Sequence, residues 1–190
     1  MKLSKMLIIG VAVMLPLFMP SEIQGNKVPP VITAYTDPTI EQPVPTWKYT
    51  FQNMGVPVNR NAFAYMNYIS ITSRGSKQWQ VRQNSYTDMY GIRCQGAYYL
   101  VAMGTYYGKV GDKFKIHTAS GGWYMVMLGD VKSDAHTDAN NQLCGTNGSL
   151  IEFIVDPSVI KNSTQFNKAT SHLKDTVVKI EKIIDIRYEL

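Results

Sequence analysis

The chain of 190 residues carries 19 lysines and arginines against 14 aspartates and glutamates, a formal net charge of +5. Its length predicts one ordinary domain with a real hydrophobic core rather than several domains. No basic run or basic helical face stands out, so nucleic acid is excluded as an expected partner. The mild positive charge suits a polyanionic wall or a membrane surface, or serves solubility alone.

The first 25 residues have the pattern of a secretory signal peptide. Lys2 and Lys5 precede an apolar run at residues 6–19. As a helix this run would reach about 21 Å at roughly 1.5 Å per residue, short of the roughly 30 Å hydrocarbon core. We therefore predict an exported protein, secreted or associated with the cell wall or surface, with no stable membrane span after signal cleavage. An uncleaved N-terminal anchor is the alternative.

Residues 26–46 contain a series of prolines: Pro29, Pro30, Pro38, Pro43 and Pro45. Such a stretch cannot hold a helix or lie in a central strand, so we predict a stiff, extended proline-rich linker. The folded domain is then expected at residues 47–190.

From residue 47 onward the pattern is one of short strands and turns. Residues 77–83, for example, alternate polar and apolar side chains at period two, which is typical of a strand. The predicted strands are 65–72, 77–83, 97–103, 113–118, 123–130, 149–156 and 176–188. Helix signals are weak, with short candidates at 61–68 and 165–173. Short strands separated by glycine turns favour an all-β closed barrel over an α/β fold.

The two cysteines, Cys94 and Cys144, lie outside the signal segment. In an oxidising compartment they predict one disulfide. It would close a loop of about 50 residues and stabilise the fold by roughly 4 kcal/mol in the chain-entropy model. A catalytic thiol is the alternative, although neither cysteine lies in a recognisable nucleophile motif.

An acidic stretch with one imidazole, at residues 128–156, lies between two runs typical of buried strands. It contains Asp130, Asp134, His136, Asp138 and Glu152. In an extended segment the three residues at 134, 136 and 138 would point to one side, and aspartate with imidazole suits zinc or manganese better than calcium. No fourth ligand can be named, and Asp and Asn commonly bond the backbone of their own loop. We therefore favour a loop-tying role, with no metal and no cofactor.

Three blocks that follow one another along the chain resemble a known domain: LVAMGTYYGKVGDKFKI, WYMVMLGD and GSLIEFIVD. Their order is similar to that of the three-aspartate domain, a double-psi β-barrel of exported Gram-positive wall-associated proteins and, more distantly, of membrane-bound lytic transglycosylases. Asp130 matches the family's penultimate aspartate and Glu152 replaces the last one, whereas Met103 lies near the position of the first. The resemblance covers residues 60–188 and implies a six-stranded double-psi β-barrel, with short helices and an N-terminal extended segment.

In the lytic transglycosylases of this fold, one carboxyl group of the last block acts as general acid and then as base on a β-1,4-glycosidic bond. The N-acetylmuramoyl 6-hydroxyl attacks internally, so no second, water-activating carboxylate is required. The resemblance therefore implies peptidoglycan as substrate and Glu152 as the acid/base, with a pKa raised by a hydrophobic wall. Asp130 would be the polar partner that orients it.

Two alternatives remain open. In the first, the barrel binds peptidoglycan or another wall glycan without cleaving it, with Trp123, Tyr124 and Lys132 as binding side chains, since aromatic rings stack on sugar faces. The second alternative is a metal-binding loop protein that uses Asp134, His136 and Asp138.

Overall fold

A computed structural model describes residues 46–56, 60–61, 64–160, 166–168 and 170–189. The predicted signal peptide and nearly all of the predicted linker lie outside these residues. Residue 46, placed in the linker by the sequence, already belongs to the first strand. Within the described ranges, no helix has the length and apolar character needed to cross a membrane.

The described part of the chain is mostly β, as the sequence predicts. Its strands are β1 (Thr46–Asn53), β2 (Arg60–Asn61), β3 (Ala64–Asn67), β4 (Tyr86–Thr87), β5 (Arg93–Gln95), β6 (Tyr98–Gly104), β7 (Lys113–Thr118), β8 (Trp123–Lys132), β9 (Glu152–Val155) and β10 (Thr176–Glu189). One α-helix, α1 (Lys77–Gln83), lies between β3 and β4. Short 3-10 turns are found at Tyr68–Ser70, Thr105–Tyr107, Asp134–His136 and Ser171–Lys174.

The strand prediction for residues 77–83 is wrong, because these residues form α1. The Ser76 hydroxyl accepts a hydrogen bond from the backbone N–H of Trp79 at 3.1 Å. This N-cap satisfies a free donor of the first turn and starts the helix. The local period-two alternation carries no information about such a cap.

The helix candidate at 61–68 is also wrong, because β2, β3 and the start of a 3-10 turn occupy it. Here β3 pairs in parallel with β9, with Ala64 opposite Glu152 and Asn67 opposite Val155. This non-local pairing outweighs the weak local helix signal. In the candidate at 165–173, residues 166–168 are helical and a 3-10 turn begins at Ser171.

The strands form one mixed sheet with the order β1-β10-β7-β8-β6-β5-β4, and this path is not closed. Strand β9 pairs with β6 and β3, and β2 pairs with β10. Two pairings, β6 with β8 and β3 with β9, are parallel, and the other pairings between these strands are antiparallel. A six-stranded closed barrel is therefore not confirmed by the sheet itself.

The main core lies on one face of the sheet. Its fully buried side chains include Val101, Met103, Phe114, Ile116, Val126, Leu128, Phe153 and Ile180. A smaller apolar cluster of Ile71, Leu100, Met127 and Ile154 has Val81 of α1 packed against it. Strand β6 contributes to both clusters, which explains its nearly continuous apolar sequence.

The predicted disulfide is not present, because Cys94 and Cys144 are both buried free thiols. The Cys94 thiol donates to the carbonyl of Ile92 at 3.6 Å. The Cys144 thiol hydrogen-bonds to Glu152. The two thiols thus lie in separate environments with separate partners. The fold is held by packing and hydrogen bonds and not by a disulfide.

Candidate functional site

Asp130 and Glu152 flank the same residue of the central strand β6. Ala102 is opposite Asp130 in the parallel pairing with β8 and opposite Glu152 in the antiparallel pairing with β9. Residues aligned on neighbouring strands lie on one face of a sheet, and two strand spacings separate their backbones by about 10 Å. The structure therefore brings the two framing carboxylates of the acidic stretch to one face.

The position of Asp130 depends on an irregularity in β8. The register shifts between Val101 and Ala102, so that Val101 is opposite Leu128 and Ala102 is opposite Asp130. The extra residue is Gly129, where a Cβ atom would lie 2.7 Å from Cδ1 of Ile154. A glycine at this bulge lets β8 and the side chains beneath it approach closely.

Lys132 joins the two carboxylates into a cluster. It lies two residues after Asp130, on the same face of β8, and its ammonium group is 2.6 Å from Oε2 of Glu152. The two side chains of this ion pair are only 16% and 11% exposed. On its other side Glu152 accepts hydrogen bonds from Asn147 Nδ2 at 3.3 Å and Ser149 Oγ at 3.4 Å.

These contacts decide the ionisation of Glu152. Burial acts to raise its pKa, but the hydrogen bond and charge of Lys132, with hydrogen bonds from Asn147 and Cys144, hold the pKa of this carboxyl below its usual range. The raised pKa predicted for Glu152 is therefore wrong. The apolar neighbours Ile151 and Phe153 belong to the core cluster, whereas Glu152 faces its polar partners.

Asp130 has the opposite character. It is half-buried, and burial raises the pKa of its carboxyl. This effect exceeds the opposing hydrogen bonds from the backbone N–H of Val131 and from Gln78 of α1, and the charge of Lys132. Of the two framing carboxyl groups, the one with a raised pKa is thus Asp130, the residue that the sequence predicts as the partner.

The loop at residues 133–149 forms one wall of this cluster, and its acidic residues tie it in place. Asp134 accepts a hydrogen bond from the Thr105 hydroxyl at 2.6 Å. Asp138 Oδ1 accepts the backbone N–H groups of Gln142 and Leu143 at 2.7 Å and 2.8 Å. The loop-tying role of Asp138 is confirmed.

The geometry assumed for a metal site does not occur here. The segment Asp134–His136 is a 3-10 turn rather than an extended strand, so the period-two argument does not apply. In the part of the chain that the structure describes, no group of three or more His, Cys, Asp or Glu side chains is positioned to hold a metal ion.

The loop is also packed tightly against the end of β6. A Cβ atom at Gly104 would lie 2.0 Å from the carbonyl oxygen of Asn141. The same carbonyl accepts the backbone N–H of Tyr106 at 3.3 Å. This close approach packs the middle of the loop against the end of β6.

Trp123 and Tyr124, predicted as binding residues, do not join the cluster. Tyr124 is buried at 6% exposure in the core, and its ring is not accessible to a sugar. Trp123 begins β8, seven residues before Asp130, which is about 23 Å along an extended strand. Only Lys132 of the three predicted binding residues lies beside Asp130 and Glu152.

Three contributors to the site are missed by the sequence prediction: Gln78, Asn147 and Ser149. Gln78 falls in a segment predicted as a strand, so nothing places it near Asp130. Asn147 and Ser149 surround Gly148, whose φ of +67° marks a turn that doubles back toward β9. The Asn-Gly-Ser turn is the signal that could have placed both beside Glu152.

Comparison with models of known protein families, with curated proteins and with solved structures finds no match.

Proposed function

We propose that the chain is an exported, wall-associated protein, with residues 1–25 as signal peptide, that cleaves peptidoglycan in the manner of a lytic transglycosylase. The observation that carries this proposal is the half-buried Asp130, whose pKa is raised, beside the Lys132–Glu152 ion pair on one sheet face. A raised pKa favours the protonated form of a carboxyl group, which is the form that a general acid needs.

The proposal includes a six-stranded double-psi barrel. We infer that β2 and β3 act as one interrupted strand, because β2 pairs with β10 and β3 pairs with β9. The ring would then run β2/β3-β9-β6-β8-β7-β10 and back to β2. The two parallel pairings, β3 with β9 and β6 with β8, support this topology.

In the proposed reaction, the protonated Asp130 donates its proton to the glycosidic oxygen as the bond from this oxygen to C1 of the muramoyl residue breaks. The 6-hydroxyl of the same residue attacks C1 and forms a 1,6-anhydro ring. The proton of that hydroxyl returns to the Asp130 carboxylate, which restores the acid. No water and no second nucleophile enters the step.

Lys132 and Glu152 are assigned a positioning role. The Glu152 carboxylate holds the Lys132 ammonium group through a 2.6 Å contact. The positive charge of Lys132 favours the ionised form of Asp130. Asp130 has this form after it has donated its proton and before it takes the proton of the 6-hydroxyl. This proposal reverses the roles implied by the sequence: Asp130 is the general acid, and Glu152 is the residue that positions its partner.

The test is incubation of purified protein with peptidoglycan, followed by separation of the soluble products. We expect anhydro-muropeptides from the wild type, none from Asp130→Asn, and reduced release from Glu152→Gln. Asp185→Asn, which changes an aspartate of β10 that pairs with Arg187, is the matched control and should retain activity. Full activity of Asp130→Asn would contradict the assignment.

A non-catalytic glycan-binding module is the second candidate, and one observation favours it. Glu152 has four side-chain partners, which is how a carboxylate that only fastens a loop would be held. Exposed rings, such as Tyr65 at 61% and Tyr106 at 45%, offer surfaces for sugars. Co-sedimentation of the wild type with peptidoglycan without release of any product would select this function.

A further inference from the structure

The sheet face opposite the main core carries a row of basic side chains on β7. Lys113, Lys115 and His117 alternate with the buried Phe114 and Ile116, so all three lie on the outer face. Each is partly exposed to solvent. Strand β7 lies between β10 and β8, so these lysines do not serve to block an exposed sheet edge.

Aromatic rings hold the two lysine heads in place. The Lys115 ammonium group lies 4.5 Å from the ring centre of Trp123 and 5.9 Å from that of Phe51. The Lys113 ammonium group lies 4.8 Å from the ring centre of Tyr98. Contacts of this kind orient a long cation that would otherwise sample many rotamers.

The neighbouring strand adds further charge to this face. Glu181 of β10 is 2.7 Å from the His117 ring and 2.5 Å from the Lys179 ammonium group. Glu181 is opposite Lys115 in the β7–β10 pairing, but its two carboxylate oxygens are engaged by His117 and Lys179, and it forms no ion pair with Lys113 or Lys115. Those two heads keep positive charge that no carboxylate in the described part of the chain neutralises through an ion pair.

We propose that this face, built on Lys113, Lys115, Phe51, Tyr98 and Trp123, binds an anionic polysaccharide bearing carboxylate or phosphate groups. Lys113 and Lys115 are two residues apart on one strand, so their Cα atoms are about 6.6 Å apart and both side chains project from the same face. Preordered side chains lose less entropy on binding, which strengthens the attraction to a repeated anion. The site is separate from the Asp130–Lys132–Glu152 cluster and does not require that cluster to be catalytic.

The ring contacts favour a polysaccharide over a single-stranded nucleic acid. Recognition of single strands depends on bases stacked on free aromatic faces. Here a lysine head lies over the ring of Trp123 and another lies over that of Tyr98. An anionic polysaccharide, which needs only the two ammonium groups, fits this arrangement better than a nucleic acid that needs free rings.

Affinity measurements on the full chain test the proposal. The probes are polygalacturonate for carboxylates, polyglycerol phosphate for phosphates, neutral dextran, and single-stranded DNA of matched charge. We expect one or both anionic polymers to bind more tightly than the DNA, dextran not to bind, and the double variant Lys113→Gln/Lys115→Gln to lose at least tenfold in affinity. The control Lys77→Gln/Lys109→Gln removes the same charge from exposed positions elsewhere and should lose less than twofold.

Three results would overturn the proposal: equal losses in the two double variants, tighter binding of DNA than of either polymer, or no binding of either polymer. Release of anhydro-muropeptides by Lys113→Gln/Lys115→Gln should continue at the wild-type rate on short soluble fragments. This readout separates a failure of this surface from a failure of the proposed catalysis.

Discussion

Lys132 and Glu152 show how a single contact sets the chemistry of a residue. Burial acts to raise the pKa of Glu152, yet the ammonium group at 2.6 Å, together with hydrogen bonds from Asn147 and Cys144, leaves this pKa lowered. Asp130 lies on the same sheet face but has no cation so close to it. Burial therefore outweighs the contributions that lower its pKa, and the pKa of Asp130 is raised. Two carboxyl groups on one sheet face therefore have pKa values shifted in opposite directions, the arrangement expected of acid/base sites.

Replacing Lys132 by Met should be strongly destabilising. The change leaves the Glu152 carboxylate buried without its counter-charge, at an expected cost of about 3 kcal/mol. Denaturant unfolding at pH 7 measures it. Because the pKa of Glu152 is lowered, its stabilising effect is present above the unfolded pKa of about 4.3 and is lost as pH falls through the folded value. The cost should accordingly shrink in acid.

Lys179→Met is the control for this prediction, because the Lys179 side chain is 44% exposed in its ion pair and should cost less than about 1 kcal/mol. Equal costs for the two variants would contradict the role given to burial. In the double variant Lys132→Met/Glu152→Gln, much of the stability should return, since the buried charge is gone.

Replacing Asp130 by Asn should change stability with the opposite pH dependence. A carboxyl whose folded pKa is raised favours the folded state below its usual pKa of 3.8, and this contribution is lost as pH rises through the raised value. The Tm of Asp130→Asn relative to the wild type should therefore increase between pH 4 and pH 8. A pH-independent difference in Tm would show that Asp130 titrates normally.

At the scale of elements, the loop at 133–149 and the strand β6 are fitted to each other at Gly104. The backbone at Gly104 has an ordinary φ of −67°, so the requirement for glycine is one of space and not of conformation. The carbonyl of Asn141 occupies the volume that any side chain would need. The loop that supplies Asn147 and Ser149 to Glu152 is thus packed against β6 at the residue opposite Lys132.

Gly104→Ala should displace this loop. A Cβ atom 2.0 Å from the Asn141 carbonyl oxygen forces the backbone to move, at a cost of about 1–3 kcal/mol. Hydrogen exchange should show faster exchange at Tyr106, whose N–H donates to that carbonyl. Gly122→Ala is the control, because its nearest neighbours are the movable hydroxyls of Thr118 and Ser120 at 3.2 Å and 3.8 Å. Unchanged exchange at Tyr106 would contradict the packing argument.

The elements also show where local patterns succeed and fail. The predicted strand at 113–118 coincides with β7, and β6, β8 and β10 lie close to their predicted positions. These strands have long apolar or alternating sequences whose period is decisive. The sequence of α1 predicts a strand because its seven residues are too few for a 3.6-residue period to be distinguished from alternation.

At the scale of the whole molecule, the free cysteines indicate a fold that does not depend on a disulfide. Burial raises the pKa of the Cys94 thiol to about 12, which suppresses the reactive thiolate. Cys144 is also buried and is engaged with Glu152. The stability of the folded chain therefore rests on the sheet and its two apolar clusters.

Reductant should leave the Tm of the protein unchanged. In the native state both thiols should react slowly with an aromatic disulfide reagent at pH 8, and both should react at once after unfolding in denaturant. A fall in Tm on reduction, or fewer than two reactive thiols in the unfolded chain, would show that the disulfide predicted from the sequence does form.

The sequence by itself determined the β-rich fold, the principal strands and the framing of the acidic stretch by Asp130 and Glu152, because strand periodicity and turn residues act locally. Only the tertiary structure decided the ionisation of these two carboxyls, the helix over residues 77–83 and the separation of the two thiols. The two ionisation states depend on partners distant along the chain, such as Lys132 for Glu152 and Gln78 for Asp130. The helix begins at a local cap, but Val81 packs it against a cluster that includes residues of β6, β8 and β9. Burial and charge pairing become defined only when β6, β8 and β9 lie side by side.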